Sequence, residues 1–485
     1  MTSSKSFKNS ILFLVPVIIG NLMPIITLPF FTRELSTEEY GIFTLSQVYA
    51  VFINGVANFG LLAGFERSYF EFKNTFMRTS LLYSIVMFVM LASFLFTLVT
   101  FTFERFLLTN LFHIEGYQNL LTLSYLATAV SGFKLYFLSY FKNSEDAKSF
   151  VFYSIDETIL TTIFSLVLVA AFELRVYGLI LGQLISATFV YILLIVRFSA
   201  KHRLSLDLVA LKASLKFSLP LTPKIFFGVL GSQLDKYLIG LLSSLGGVGV
   251  YNIAQKIANV TFTFMTAVQN VFSPQVYSRM FEMEKGAASK AIGMYLTPFY
   301  YISIFVGLCI SLFSEEVILI LFPIEYHDSI NITSIFSMLY ASYFFSKHPQ
   351  LVYAKKTWLS SLLFVLAIVL NIIINIPFAK NWGPIGVAWG SLLSAVIWGA
   401  VYFYISQKSF YIHWESRKII MISLIFVLSA MVVILMRYFE VNYALRMALK
   451  LISFIMFVYL GISYKIITKD VFLNAKFILL NKSTQ

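Results

Sequence analysis

The stretch FSLPLTPKIFFGVLGSQLDKYLIG, residues 217–240, is apolar enough and long enough to cross a lipid bilayer. It also carries the prolines Pro220 and Pro223 and the charged residues Lys224, Asp235 and Lys236. Prolines free backbone carbonyls and charged groups lose their hydration, so both features are unfavourable in contact with lipid. The stretch therefore predicts a spanning helix that bends at its prolines and lines a hydrated cavity. The alternative is a static proline kink packed against neighbouring helices.

The chain as a whole has the composition of a membrane protein. Of its 485 residues, 59% are hydrophobic and 12% are charged, whereas soluble domains are usually about 25% charged. The mean hydropathy is +0.83. We interpret the formal net charge of +13 as loop charge that sets membrane orientation, and we expect no nucleic-acid partner. The single cysteine, Cys309, excludes an intrachain disulfide, and no metal-ligand or cofactor motif occurs, so neither a metal nor a cofactor is expected.

About fourteen segments are long and apolar enough to span a bilayer. They lie near residues 10–30, 41–65, 79–101, 118–141, 151–172, 176–197, 214–235, 247–273, 291–313, 329–346, 358–378, 384–406, 418–436 and 444–466. We place the N-terminus inside, because basic residues then concentrate in the cytoplasmic loops 197–216, 346–356 and 407–418. The outer loops 33–40 and 314–328 are acidic. The expected fold is all-α, with both termini in the cytoplasm.

An internal repeat divides the chain. The segment RVYGLILGQLISATFVYI (175–192) aligns with GPIGVAWGSLLSAVIWGA (383–400) at an offset of about 208 residues. The alignment matches Gly178, Gly182 and Ser186 with Gly386, Gly390 and Ser394. Small residues at this spacing let helices approach closely in a membrane. YGIFTLSQ (40–47) matches VGVYNIAQ (248–255) at the same offset.

The repeat predicts two parallel six-helix bundles, residues 1–200 and 210–407, followed by two added helices and a cytoplasmic tail in residues 408–485. Parallel repeats are common in transporters, whose substrate sites lie between the repeats. The repeat therefore favours a transporter over a membrane enzyme.

Four motifs in this order resemble the Wzx-like polysaccharide flippases of the MOP exporter superfamily. They are NFGLLAGFERSYF (58–70), FSLPLTP (217–223), LDKYLIG (234–240) and GVGVYNIAQKIA (247–258). The resemblance covers the whole chain and implies flipping of an undecaprenyl-pyrophosphate-linked oligosaccharide across the bacterial inner membrane by alternating access. It also implies a cationic cavity, coupling to Na⁺ or H⁺, and polysaccharide polymerase and chain-length proteins as partners. The first span, Ile11–Phe30, lacks the arginine that related lipid II flippases carry there.

Lys224 is the residue that we expect to bind the substrate pyrophosphate or an acidic sugar. It lies about 12 Å beyond Lys216 and about 16 Å from Asp235 along a helix, near the middle of the bilayer. A lysine there costs at least about 2.5–3.5 kcal/mol, so it should face protein or water. The alternative is a pair with a buried acid.

Other charged residues could extend this site. Lys134, Lys256 and Arg67, the last at the position where the family has an arginine at the cavity mouth, are further candidates for substrate binding. Candidates for ion coupling or gating are Asp156, Glu157 and Asp235. Structural alternatives remain for each: Asp156 or Glu157 neutralises Lys134 or Lys224, Asp235 pairs with Lys256, and Arg67 is an interfacial anchor. Arg446 and Lys450, also within a predicted span, need explanation too.

Three other function classes remain open. A MATE-like antiporter of drugs or other small molecules would use the same fold. A membrane polysaccharide polymerase or acyltransferase would need catalytic polar residues gathered at one face, but the five histidines are scattered and no nucleophile–base pair occurs. A scaffold role in a biosynthetic complex would not explain Lys224. We therefore expect no catalytic residues.

Overall fold

The computed structural model describes residues 2–346 and 350–466, and these residues form helices without any β-strand. The helices are α1 (Thr2–Glu34), α2 (Thr37–Ala57), α3 (Leu61–Glu71), α4 (Thr75–Phe106), α5 (Leu120–Asn143), α6 (Ala147–Ala170), α7 (Arg175–Ser199), α8 (Leu208–Ser218), α9 (Thr222–Leu242), α10 (Leu245–Glu282), α11 (Lys285–Leu321), α12 (Ser329–Ser342), α13 (Gln350–Tyr353), α14 (Thr357–Ser409), α15 (Ser416–Tyr438) and α16 (Tyr443–Ser463). A π-helical turn, Leu107–Leu111, follows α4.

The predicted all-α class and fourteen spans are confirmed. The second span comprises α2 and α3, the seventh comprises α8 and α9, and α14 contains the eleventh and twelfth. Ten helical segments of the described chain are long and apolar enough to cross a membrane by length and composition. Residues 347–349 of the predicted loop 346–356, and residues 467–485 of the predicted tail, lie outside the described residues.

Three spans differ from their predicted form. Span two was predicted as one helix, but it divides where Phe59 and Gly60 adopt φ values of 47° and 65°. Two successive left-handed residues cannot continue a right-handed helix. The prolines Pro16, Pro24 and Pro29 predict a break in span one as well, yet α1 is continuous through them. Span nine was predicted to end at residue 313, but α11 continues to Leu321 and takes in part of the predicted acidic loop 314–328.

Span seven breaks where its prolines predict. Helix α8 ends at Ser218, a 3₁₀ turn covers Leu219–Leu221, and α9 begins at Thr222. Pro220 lies in the turn and Pro223 in the first turn of α9, where a proline's missing N–H leaves no helical bond unmade. Within α14 the two spans meet at Gly383, whose φ of 57° and ψ of −138° require a glycine.

The chain folds as two compact units, Met1–Gly249 and Val250–Gln485. Within the first unit, α8 packs against α3 and α9 packs against α2. The sequence assigns α8 and α9 to the second six-helix bundle, and that division stays a prediction.

The repeated small residues make equivalent contacts in each unit. A Cβ on Gly182 of α7 would lie 2.6 Å from the backbone nitrogen of Ser165 on α6. A Cβ on Gly390 would meet the side-chain oxygen of Asn375, across the kink in α14. The serines of the two stripes also bond to the facing helices: Ser186 lies 2.5 Å from the Thr161 hydroxyl, and Asn371 donates to Ser394 at 3.2 Å. The repeat thus reflects a shared way of packing neighbouring helices.

Gly182→Ala is expected to destabilise the protein by about 1–3 kcal/mol, because its methyl group would press on the backbone of α6. Thermal unfolding in detergent measures the effect. Gly228→Ala is the matched control, since a Cβ there meets nothing within 4 Å. Equal unfolding temperatures for both variants would contradict the close packing of α6 and α7.

Candidate functional site

The two broken spans of the first unit lie with their breaks side by side. We call residues 58–60 and 218–221 the paired break. A Cβ on Gly60 would lie 2.9 Å from the carbonyl oxygen of Ser218. The helices continue together on the α3 and α8 side, where the hydroxyls of Ser68 and Ser214 are 3.2 Å apart. Position 60 therefore favours glycine for two reasons: a side chain would press on the Ser218 carbonyl oxygen, and the backbone has a positive φ.

Polar side chains surround the paired break. Asn58 donates from Nδ2 to Oδ1 of Asn54 at 2.9 Å, and it accepts from the hydroxyl of Tyr136 on α5 at 2.9 Å. Tyr136 is buried, and Gly132, one turn earlier on α5, lies against the Asn54 amide. These hydrogen bonds supply partners for polar groups in a region where lipid supplies none.

Lys224 lies in the first turn of α9, directly after the paired break, and it is exposed. Its neighbours Ile225 and Phe226 face α2 and the break: Ile225 contacts Gly60, and the rings of Phe226 and Phe52 are 6.4 Å apart. Within residues 2–346 and 350–466, Lys224 makes no ion pair. Its ammonium is therefore available to a ligand.

Lys134 is enclosed instead. It is 6% exposed, forms an ion pair with Glu157 of α6 and donates to the backbone oxygen of Tyr153 at 3.4 Å. Glu157 also accepts from the hydroxyl of Ser131 at 2.6 Å. The sequence offers both Asp156 and Glu157 as partners for Lys134, and the structure pairs Lys134 with Glu157. Asp156, the residue before Glu157 on α6, is half-buried. This arrangement favours the structural alternative for Lys134.

Lys134→Met is expected to destabilise the protein by about 3–5 kcal/mol, because it leaves the Glu157 carboxylate buried without its partner. The double variant Lys134→Met with Glu157→Gln should recover much of that loss, since no uncompensated charge remains. Unfolding temperatures of the two single variants and the double variant in detergent give the coupling. Additive losses would show that the two charges do not stabilise each other.

Arg67 lies on α3, seven residues beyond Gly60 and so about 10 Å along the helix. Its guanidinium pairs with Glu71 at 2.6 Å and stacks over the ring of Phe217, 4.6 Å from the centroid. Its side chain is 51% exposed, so a ligand can still reach it. The other two candidates are half-buried, Asp235 on α9 and Lys256 on α10, and their pairing stays a prediction.

A charged cluster in the second unit was missed by the sequence analysis. Glu315 and Glu316 of α11 meet Arg446 and Lys450 of α16. Lys450 donates to Glu315 at 2.6 Å and to Glu316 at 2.7 Å, and Arg446 donates to Glu315 at 2.7 Å. Lys450 is 1% exposed. We call these four residues the α11–α16 cluster. It explains both basic residues as ion pairs.

The sequence contains only part of the information that predicts the α11–α16 cluster. Arg446 and Lys450 are four residues apart on one apolar helix, which indicates a shared acidic partner. The predicted span ends at residue 313, so the sequence places both glutamates in the outer loop 314–328. In the part of the chain that the structure describes, no group of three or more His, Cys, Asp or Glu residues is placed to hold a metal ion.

A sequence model of the family described as "Polysaccharide biosynthesis protein" matches residues 6–280, more than half of the chain. The chain belongs to this family. It is a multi-pass membrane protein, and its family confirms the resemblance to polysaccharide flippases.

One relative of this chain is described as the probable low-salt glycan biosynthesis flippase Agl15 of Haloferax volcanii. The two sequences are 24% identical over 176 residues, which cover 35% of this chain and 36% of the relative. The match thus spans about a third of that relative's length.

Two solved structures have folds similar to that of this chain. The lipid II flippase MurJ in an inward closed conformation superimposes with a TM-score of 0.69 at 15% identity, over 94% of this chain and 99% of MurJ. An inward-facing MATE multidrug resistance transporter of the MOP superfamily superimposes with a TM-score of 0.60 at 13% identity, over 82% of this chain and 97% of the transporter. At these identities the likeness concerns the fold alone.

Proposed function

We propose that this protein flips an undecaprenyl-pyrophosphate-linked oligosaccharide from the inner to the outer leaflet of a bacterial cytoplasmic membrane. The observation that carries the proposal is Lys224, an exposed lysine without an ion pair among the described residues, at a break in an apolar spanning segment. A diphosphate is an anionic ligand that would compensate the cost of keeping an ammonium at this depth. The family and the Agl15 relative, both connected with glycan biosynthesis, support a glycan cargo.

The candidate residues take different roles in this proposal. Lys224 contacts the diphosphate, and Arg67, partly exposed on α3, extends the cationic path. Lys256 is a further candidate for substrate binding. Lys134 holds Glu157 in place. The paired break supplies the bend that alternating access requires, because residues outside regular helix absorb changes in φ and ψ.

Ion coupling and orientation are further parts of the proposal. Asp156 is the carboxylate that we assign to Na⁺ or H⁺ coupling, because it is half-buried and has no hydrogen bond within the described ranges. Asp235 serves in gating. Both termini lie in the cytoplasm, which reporter fusions at Lys5 and Lys476 would test: a periplasmic readout at either site contradicts this topology.

Reconstitution separates the flippase from its main alternative. Proteoliposomes containing the purified protein are loaded with an undecaprenyl-diphosphate glycan that carries a fluorophore on its sugar. A membrane-impermeant reducing agent then bleaches only the outer-leaflet fluorophore. We expect the protein to cause bleaching of more than the half of the fluorophore that is initially accessible. With a matched undecaprenyl-linked fluorophore that lacks the diphosphate, bleaching should stop at that half.

The alternative is a MATE-like antiporter of small molecules, which the shared MATE fold favours. It predicts ion-driven accumulation of a cationic dye in the same vesicles without movement of the glycan lipid. That result would replace the flippase proposal.

A further inference from the structure

The connection between α7 and α8, together with α8 itself, presents an unusual mixture of side chains. Four aliphatic residues are largely exposed: Leu204 at 63%, Leu206 at 45%, Leu208 at 70% and Val209 at 83%. Four exposed basic residues accompany them, Lys201, Arg203, Lys212 and Lys216. We call these eight residues the basic apolar surface. All of them lie in the first unit.

The fold holds this segment in place. The hydroxyl of Tyr83 on α4 donates to the backbone oxygen of His202 at 3.0 Å, and the backbone nitrogen of Asp207 donates to the Ser84 hydroxyl at 2.7 Å. The carboxylate of Asp207 caps α8 by accepting from the nitrogen of Ala210 at 2.9 Å. Because the backbone is anchored on α4, the aliphatic side chains face outward as part of the folded structure.

The charge of this surface is uncompensated by the described residues. None of its four basic residues forms an ion pair within residues 2–346 and 350–466. The acid of the segment, Asp207, is engaged at the helix cap. Burial, and then the charge of Lys201, lower the pKa of His202, so this histidine adds no charge near neutral pH. The surface is therefore both cationic and apolar.

Its position relative to a bilayer follows from helix length. The segment Leu208–Leu242 has 35 residues and would extend about 52 Å as a helix, whereas the hydrocarbon core is about 30 Å thick. Lys224 is expected near the middle of the bilayer, and Leu208, sixteen residues earlier, would lie about 24 Å from it along a helix. This distance exceeds the half-thickness of about 15 Å, so the first turns extend into the headgroup region. Aliphatic side chains there enter the acyl boundary while lysines and arginines meet the headgroups.

We propose that the basic apolar surface is a docking site for anionic phospholipid headgroups, such as those of phosphatidylglycerol. The aliphatic residues insert beside the acyl chains, and the four cations attract the negative headgroups. Charge complementarity favours lipid over a protein partner, because exposed aliphatic and basic side chains occur together where this segment is expected to meet the lipid phosphates. The inference does not depend on which substrate the protein carries.

Depth-resolved quenching tests this proposal. A single cysteine is placed at Val209 in the Cys309→Ser background, labelled with bimane, and the full chain is reconstituted in phosphatidylcholine nanodiscs. Equal mole fractions of chain-brominated phosphatidylglycerol or chain-brominated phosphatidylcholine are then added. We expect the anionic lipid to be enriched at the label at least about fivefold, the factor that one near-surface lysine or arginine contributes. The enrichment should fall as salt is raised.

Variants identify the cause. Lys201→Gln, Arg203→Gln, Lys212→Gln and Lys216→Gln combined should abolish the preference while quenching by phosphatidylcholine persists. A variant that keeps charge, with Lys201→Arg, Lys212→Arg and Lys216→Arg, should retain it. The control Arg105→Gln with Lys380→Gln removes two exposed cations elsewhere and should also retain it. Equal quenching by both lipids overturns the headgroup preference, and quenching by neither shows that the surface faces water or protein.

Discussion

Lys224→Ala is expected to abolish flipping of the diphosphate-linked glycan while the protein still inserts and folds. The ammonium is exposed and forms no ion pair with the described residues, so its removal leaves no buried acid without a partner. The loss should therefore appear in transport and not in the unfolding temperature. Lys224→Arg should keep partial transport, because the diphosphate requires positive charge more than a particular geometry.

The matched control is Lys290→Ala, which removes an exposed lysine on α11 that likewise forms no ion pair with the described residues. It should transport like the unmodified protein. An independent test of hydration uses a cysteine at position 224 in the Cys309→Ser background, with an impermeant thiol reagent applied to inverted vesicles. Normal transport by Lys224→Ala together with an unreactive cysteine would remove Lys224 from the site.

Lys450→Met is expected to destabilise the protein by about 3–5 kcal/mol, the same range that we expect for Lys134→Met. Lys450 is 1% exposed and bonds both Glu315 and Glu316. Its loss leaves the buried Glu315 paired with Arg446 and removes the ion pair of the half-buried Glu316. Because α16 bonds to α11 through these residues, its protection from proteolysis should fall first. Unfolding temperature and limited proteolysis in detergent measure both effects.

Two comparisons make this prediction specific. Lys450→Met combined with Glu316→Gln restores charge balance and should recover much of the lost stability. Lys418→Met removes a lysine that pairs with Glu415 in a more exposed setting, where ion pairs contribute about 0–1 kcal/mol. If Lys418→Met and Lys450→Met cost the same, the α11–α16 cluster is not a buried ion-pair network.

Much of the fold follows from local sequence patterns. Hydropathy and segment length determined the fourteen spans, because each spanning helix must satisfy its own backbone hydrogen bonds within lipid. Proline chemistry predicts the break at Pro220, and the stripes of small residues that contain Gly182 and Gly390 predict that their helices approach neighbours closely. Such features depend on residues within one or two turns, so a single sequence contains the necessary information.

The partners of the charged residues were decided by tertiary structure. Sequence offered Asp156 and Glu157 equally to Lys134, and it placed Glu315 and Glu316 outside the span that meets Arg446 and Lys450. These partners lie 23 to 135 residues apart along the chain, and the rotation of each helix about its axis decides which side chains face each other. Sequence by itself determined that Lys224, Lys134 and Lys450 are lysines in apolar helices. Only the packing of the helices decided that Lys134 and Lys450 are neutralised by acids while Lys224 is exposed. The reason is that two side chains on different helices pair only when the helices are oriented to bring them together, and neither sequence segment contains that orientation.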